Sequence, residues 1–361
     1  MLLAAGGTGG HLFPAEALAA ALAARGVAVE LATDARAVGY GGKFRARAMH
    51  VIPSATPRGP IGYAKAGAVI AMGVAKAYGL LGRLRPAAVV GFGGYPSIPA
   101  VLAAALRRIP SVIHEQNGVM GRANRLLAPR ASAIATSFAG VVDADPALAA
   151  KATRTGNPLR PAVLAAITPY AAPEPNGLLR LLAFGGSQGA RIMADVVPPA
   201  VERLGPVLRA RLFVVQQARS EDIERVRVTY GRLDVAAEVA PFFLDLPARI
   251  AGSHLVVSRS GASTVAELAA LGRPAVLVPL PHALDQDQLA NARVLETAGG
   301  AILLRQDAFT PDRLAREIAG LAADPARLTA MATGARSAGA PDAGERLADL
   351  VMQVAGLARR P

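Results

Sequence analysis

Apolar positions along this chain fall into short solid runs separated by longer, alanine-rich stretches of mixed character. Leu2-Leu3-Ala4-Ala5 is one such run. A helical stretch over 12–25 follows it, stopped by Gly26, and a second apolar run covers 27–32. The alternation continues with a strand over 87–91, a helix over 98–108, and strands over 111–115 and 131–136. Short runs with no polar face, alternating with helices, predict a parallel sheet covered on both sides. The pattern lapses between about 155 and 177, where Pro158, Pro161, Pro169, Pro173 and Pro175 crowd with Asn157 and Asn176, and this stretch reads as a linker. Beyond it the alternation restarts: strand 178–184, a helix from about 191, strands 211–216 and 254–258, a helix from about 264, strand 275–279 and a last helical segment over 342–358. The pattern predicts two doubly wound α/β domains, 1–160 and 161–341.

Each half opens with an apolar strand running into a glycine-rich turn and then a helix. The first turn is Gly6-Gly7-Thr8-Gly9-Gly10-His11 and the second is Gly185-Gly186-Ser187-Gln188-Gly189-Ala190. Such turns bring main-chain N–H groups close to a ligand, and the helix start adds partial positive charge that suits phosphate. Neither turn has the spacing of the dinucleotide fingerprint, and no Gly-Lys-Ser/Thr follows as a P-loop requires. Two turns half a chain apart predict two similar domains facing one phosphate-bearing substrate across a central cleft.

Bulk composition narrows the classes. A length of 361 residues with 52% hydrophobic content suits two packed cores. Cysteine is absent, which excludes disulfides and thiolate metal sites. Residues 1–5 are too short for a signal peptide ahead of the first turn, and no run of 18 apolar residues predicts a membrane span. The net charge of +13 points to anionic partners. With aromatics at 4% and none interleaved with basic residues, the pattern of a nucleic-acid binder is missing. Anionic substrates or an anionic membrane surface fit better. The stretch 62–85 combines Val69, Ile70, Met72, Val74, Tyr78, Leu80, Leu81 and Leu84 with Lys65, Lys76, Arg83 and Arg85, which favours anionic lipid. Glycines at 67, 73, 79 and 82 count against a helix there.

Polar residues bunch at predicted strand ends, where ligands bind in parallel sheets. His11 stands at a helix start, and a neutral imidazole there is a candidate general base. His114-Glu115-Gln116-Asn117-Gly118 follows a buried strand, with Glu115 either orienting His11 or competing with it as base. Ser258-Arg259-Ser260-Gly261-Ala262-Ser263-Thr264-Val265-Ala266-Glu267 is a strand end, turn and first helical turn, and Glu267 is placed to grip a ribose diol. Asp285, Gln286, Asp287, Gln288 and Asn291 open another helix. No Asp-x-Asp metal pair lies on either glycine turn, and Asp143-Ala144-Asp145, preceding Pro146, reads as a helix cap.

In their order, the segments 6–11, 91–96, 114–118, 156–160, 185–190, 258–267 and 285–291 resemble the bacterial MurG-type N-acetylglucosaminyltransferases of glycosyltransferase family 28. The resemblance spans nearly the whole chain. It implies a GT-B fold, with the segment 342–361 packing back on the first domain. It implies inverting transfer of N-acetylglucosamine from UDP-GlcNAc to the C4 hydroxyl of the muramoyl sugar of undecaprenyl-pyrophosphoryl-MurNAc-pentapeptide (lipid I). The product is lipid II, for peptidoglycan synthesis, cell shape and division. Donor contacts would fall on Thr8, Gly9, Gly10, Asn117, Arg160, Ser187, Phe243, Ala262, Ser263, Thr264, Val265, Ala266, Glu267 and Gln288. Phe243 stands where the family usually has isoleucine, making a main-chain contact to uracil. The acceptor diphosphate would meet Gly6, Gly7, Gly93 and Gly94. The first domain would bind acceptor and membrane, the second UDP-GlcNAc. No metal or cofactor is implied. Partners would be lipid I, the anionic inner face of the cell membrane and other cell-wall synthesis proteins. Two other readings share the donor: a UDP-GlcNAc 2-epimerase and a non-catalytic nucleotide-sugar-binding subunit.

Overall fold

The computed structural model describes residues 1–6, 9–35, 44, 46–56, 59–186 and 189–357. The chain divides into two compact units, Met1–Arg160 with Ala340–Pro361, and Pro161–Gly339.

Among the described residues the first unit holds one parallel sheet of β1 (Leu2–Ala4), β2 (Glu30–Thr33), β3 (Met49–Val51), β4 (Val89–Gly91), β5 (Ser111–Glu115), β6 (Ala133–Thr136) and β7 (Ala152–Arg154). Their order is β3-β2-β1-β4-β5-β6-β7. The second unit repeats the plan with β8 (Leu179–Phe184), β9 (Leu212–Gln217), β10 (Ala236–Ala240), β11 (Leu255–Ser258), β12 (Ala275–Leu277) and β13 (Ala301–Leu303), in the order β10-β9-β8-β11-β12-β13. All pairings are parallel. Strands buried along their whole length, such as β1, β4, β5 and β11, are those the apolar runs predict. The pattern misses the four edge strands β3, β7, β10 and β13: the first three are exposed or half-exposed with no apolar run to betray them, and β13 is a three-residue run between a helix and a polar loop.

Both sheets reverse direction of strand order once, between β1 and β4 in the first unit and between β8 and β11 in the second. Connections leave to opposite sides at such a point, so a crevice opens beyond the strands' carboxyl ends. Each glycine-rich turn lies at one of these crevices.

Residues Gly59–Leu84 form one helix despite its internal glycines. Gly73 is a site of close packing, where a side chain would collide with the Pro53 carbonyl and press on Pro99 at 3.0 Å, while one at Gly82 would meet the movable Arg107 guanidinium at 2.5 Å. The helix is long and apolar enough, by length and composition, to cross a membrane. Its Ala77, Leu80 and Leu81 are nonetheless buried in the core of the first unit. The expected linker is also revised. Residues 161–177 belong to the second unit, where Arg273 donates to the Thr168 hydroxyl at 2.9 Å and Arg336 to the Thr168 carbonyl at 2.9 Å. Tyr170 donates to the His254 carbonyl at 3.1 Å. Proline content marks the segment as irregular but says nothing about these side-chain anchors.

The C-terminal helix Ala343–Val354 packs on the helix Gly9–Ala24. Leu347, Ala348 and Val351 share a core with Leu12, Ala15, Leu18 and Leu22. Arg25 clasps Glu345 at 2.6 Å and Asp349 at 2.7 Å from the rim. These exposed pairs add little, and the buried leucine carries the docking. Replacing Leu347, fully buried, with alanine should cost about 2–5 kcal/mol in denaturant unfolding. A loss under about 0.5 kcal/mol, the scale of a surface change, would show that this helix does not anchor the first unit.

Candidate active site

In the first unit the crevice is walled by the loops after β1, β4 and β5. The helix Gly9–Ala24 begins earlier than the apolar pattern predicts, so His11 sits inside its first turn. The His11 Nδ1 lies 2.8 Å from the Phe92 carbonyl oxygen, in the loop after β4. A carbonyl only accepts, so Nδ1 carries the proton and Nε2 presents its lone pair. That nitrogen faces Gly94: a side chain on Gly94 would stand 3.2 Å from it. Gly93 and Gly94 have φ of 75° and 66°, a turn that places the start of the helix Gly94–Leu106 at the crevice. Burial lowers the His11 pKa below its ordinary 6.5, opposed by the bonds to Phe92 and Gln116. The ring is therefore neutral at physiological pH.

Gln116 Nε2 donates to the same Phe92 oxygen at 2.6 Å. The residue beside His11 is thus an amide, and Glu115 faces elsewhere. The Glu115 carboxylate accepts from Asn117 N at 3.0 Å, Asn117 Nδ2 at 3.2 Å, Gly121 N at 2.9 Å and Asn124 Nδ2 at 2.8 Å. Burial raises its pKa, and these donors offset only part of the rise. It organises the loop 117–124 and sets the position of Asn117. His114 is buried, donates from Nε2 to the Gly156 carbonyl at 3.1 Å and has its pKa pushed down to about 4 by desolvation. Arg160 stacks on the Phe13 ring at 4.0 Å, which brings it to the helix that carries His11. Gly6, Gly9 and Gly10 flank the same helix start. Gly7, Thr8 and Ser187 lie outside the described residues.

In the second unit, β11 ends at Ser258 beside Phe184 at the end of β8. The helix Ala262–Leu271 follows, with Gly261 as its N-cap and no side chain capping it. Val265 N donates to the Gly261 carbonyl at 3.0 Å, and the main-chain N–H groups of Ala262, Ser263 and Thr264 precede that first helical bond, the arrangement that suits an anion. Ala266 continues this turn, and Glu267 is 7% exposed, one turn in. Ser260 donates to the Gln288 carbonyl at 2.8 Å, and Asn291 donates to the Ser260 carbonyl at 3.1 Å. These bonds seat the helix Asp287–Thr297 against the turn. Gln288 Oε1 accepts from Leu280 N at 3.0 Å, leaving its NH₂ as the donating end. Asp285 and Gln286, just before it, both have positive φ (56° and 55°), strain of about 1–3 kcal/mol per residue held by surrounding structure. The Phe243 ring is buried under the Arg249 guanidinium at 4.3 Å, so its main chain is the part left to meet a ligand.

Sequence reasoning passes over two residues here. Arg259 donates to the Val278 and Pro279 carbonyls at 3.1 and 3.0 Å and shapes the loop after β12. Gln217 is the other. Arg259 enters the sequence reading only as part of the run 258–267 and Gln217 not at all, because what marks them is a partner distant in sequence. Asp145 caps the helix Pro146–Ala149, accepting from Ala147 N and Leu148 N, as its place before Pro146 predicts.

Residues 1–136 match the glycosyltransferase family 28 N-terminal domain and residues 180–347 match the glycosyltransferase family 28 C-terminal domain. The UDP-N-acetylglucosamine--N-acetylmuramyl-(pentapeptide) pyrophosphoryl-undecaprenol N-acetylglucosamine transferase of Rhodopseudomonas palustris (strain BisA53) is 63% identical over 360 residues, 99% of this chain and 96% of that protein. The same-named protein of Bradyrhizobium diazoefficiens is 61% identical over 99% of this chain and 98% of its own length. Among solved structures, Acinetobacter baumannii MurG superposes with a TM-score of 0.80 at 30% identity, covering 98% of each chain. A UDP-GlcNAc 2-epimerase from Neisseria meningitidis bound to UDP-GlcNAc shares the fold, with a TM-score of 0.68 at 14% identity over 98% of this chain and 99% of that one.

The buried imidazole makes stability depend on pH. The folded pKa of His114 is about 4, below the 6.5 of the free side chain, so the unfolded chain takes up the proton first. Its contribution is intact above pH 6.5 and is lost as pH falls toward 4. The loss amounts to about 3 kcal/mol, and His11 adds to it with the same sign. Urea unfolding at a series of pH values should show this decline, and His114→Gln should flatten it. An unchanged slope in that variant would mean that His114 is not held neutral.

Proposed function

This chain belongs to glycosyltransferase family 28, a UDP-sugar glycosyltransferase, and from that premise we propose that it transfers N-acetylglucosamine from UDP-GlcNAc to lipid I with inversion, giving lipid II. The observation that carries the chemistry is the His11 ring, fixed by the Phe92 carbonyl as the Nδ1–H tautomer with Nε2 facing Gly94. His11 is the base. Nε2 takes the proton of the acceptor's C4 hydroxyl as that oxygen bonds to C1 of the donor sugar. The bond from C1 to the UDP oxygen breaks on the opposite face, which gives the β-linkage. Glu115, its oxygens filled by four N–H donors, holds the loop that presents Asn117 and does not take the proton.

The leaving UDP gains negative charge as it departs. The first turn of the helix Ala262–Leu271, the glycine turn at 185–189 with Ser187, and Arg160 supply N–H and cationic donors for that charge without a metal. Glu267 grips the ribose diol, Gln288 donates its amide, and the main chain at Phe243 meets the uracil. Thr8, Gly9, Gly10 and Asn117 contact the donor from the first unit. Gly6, Gly7, Gly93 and Gly94 offer main-chain donors to the acceptor's diphosphate.

The acceptor's lipid anchor requires docking at the inner face of the cell membrane. Of the apolar residues in the helix Gly59–Leu84, Leu80 and Leu81 are committed to the core, while Met72 and Tyr78 are 58% and 42% exposed. Lys65, Lys76, Arg83 and Arg85 are exposed as well. We assign this face to an anionic bilayer.

His11→Ala should lower kcat for lipid I-dependent UDP release by about 10²–10⁴-fold, the scale of a lost general base, with UDP affinity little changed. Near-normal turnover would return the role of base to Glu115. UDP-GlcNAc consumption without any acceptor dependence would favour the epimerase, and binding without turnover a non-catalytic subunit.

Replacing Lys65, Lys76, Arg83 and Arg85 together with glutamine should weaken binding to anionic vesicles by up to about 1 kcal/mol per charge near the surface. Added salt should weaken wild-type binding too. Turnover of bilayer-embedded lipid I should slow while turnover of a short-chain soluble analogue stays normal. Equal activity on both acceptors would place the docking surface elsewhere.

A further inference from the structure

β10, β9 and β8 lie side by side and parallel, so the segments after them emerge together at one end of the sheet. Gln217 ends the middle strand and is 6% exposed. Its side-chain amide is bonded on both sides. Oε1 accepts from the main-chain N–H of Gly185, the first residue of the glycine turn after β8, at 3.0 Å. Nε2 donates to the carbonyl of Pro241, the first residue after β10 and two before Phe243, at 3.1 Å. One side chain therefore spans from the turn on its left to the loop on its right.

The neighbouring residue serves the other face of the strand. Gln216 is fully buried, accepts from the Tyr230 hydroxyl and donates to the Met193 carbonyl at 3.2 Å, in the helix Arg191–Glu202 that follows the glycine turn. Gly185 itself has no room to adjust, because a side chain there would collide with the main-chain nitrogen of Ala190. Gln217 thus ties Gly185 laterally, and Gln216 ties the helix that follows.

We propose that Gln217 is a positioning residue for the donor: it sets the spacing between Gly185, where the turn after β8 begins, and the loop at 241–243, so that the diphosphate and the base of one nucleoside diphosphate engage both at once. This rests on the reading of the second unit as the donor-binding one. Gln217 touches no substrate in this role. A ligand with two ends gains from both only when their receptors are already at the right separation, since the second contact is then made without further loss of freedom. The chemistry at 217 is specific to an amide. A carboxylate keeps the bond to Gly185 but turns lone pairs on the Pro241 carbonyl oxygen, and a thioether of similar length fills the space with neither bond.

The test uses the full-length chain with Gln217→Glu and Gln217→Met, titrated calorimetrically with UDP and with uridine, alongside initial rates on a soluble lipid I analogue. In both variants the Kd for UDP should rise about 10–100-fold, while that for uridine, which needs one receptor only, rises less than about threefold. KM for UDP-GlcNAc should rise with the UDP Kd, with kcat at saturating donor and KM for the acceptor within about threefold of wild type. Should the methionine variant fail to fold, the glutamate variant, which keeps the Gly185 bond and the volume, decides alone. Equal weakening of UDP and uridine, no weakening of either, or a fall in kcat at unchanged KM would each overturn the proposal. Wild-type protein that does not bind UDP would instead defeat the donor reading of the second unit.

Discussion

Everything that serves chemistry in this chain hangs on one topological constraint, the reversal of strand order in an all-parallel sheet. Between β1 and β4, and again between β8 and β11, successive connections pass to opposite sides of the sheet. No connection covers the carboxyl ends of the two strands at that point. The backbone left there includes the first turns of the helices that begin at Gly9, Gly94 and Ala262, whose leading N–H groups precede the first helical hydrogen bond. In water such groups are solvated at no advantage. In a crevice they bind anions, which is what a pyrophosphate-linked sugar offers.

A parallel sheet buried on both faces has few places for polar side chains, and Glu115, Gln216 and Gln217 at the strand ends are answered by specific partners. Leaving one buried donor or acceptor unmet costs about 1–3 kcal/mol, against about 0.5–1.5 kcal/mol gained by a met one. That asymmetry explains why the strand-end residues Glu115, Gln116, Gln216, Gln217 and Arg259 bond mainly to main-chain atoms of the adjoining loops. The loops in turn have little conformational choice. Their shape is set by buried amides and a buried carboxylate that would all be stranded if the loops moved.

The same distinction decides what was legible in the sequence. Apolar runs and glycine turns are local signals, so the two α/β halves, the glycine turns and the helix starts follow from composition over a few residues. His11 was legible because a helix start next to a glycine turn is itself a local pattern. The tautomer of His11 was not, since it is set by the Phe92 carbonyl, 81 positions along the chain. Gln217 was passed over for the same reason, its two partners being 32 and 24 positions away. The glycines of the helix Gly59–Leu84 misled in the other direction. Propensity counts Gly73 as a weak point, but contacts with Pro53 and Pro99 make it a point of close packing. The proline-rich stretch after 160 behaves alike: it is irregular, and Arg273 and Arg336 tie it down.

The choice of orienting group for His11 has an electrostatic logic. Many histidine bases are oriented by a carboxylate, which also stabilises the imidazolium once the proton has moved. Here the Nδ1–H is met by a carbonyl oxygen, itself shared with the neutral amide of Gln116. A carboxylate in that position would add a negative charge beside main-chain donors suited to diphosphate. Two like charges about 4 Å apart at an effective dielectric constant of 20 repel by about 4 kcal/mol, enough to offset much of what the N–H groups contribute. A carbonyl fixes the tautomer without that repulsion. In the proposed mechanism the imidazolium formed by proton transfer finds its counter-charge in the anionic substrate. Glu115, one residue from Gln116, keeps its charge committed to Asn117, Gly121 and Asn124, on a different side of the loop from His11.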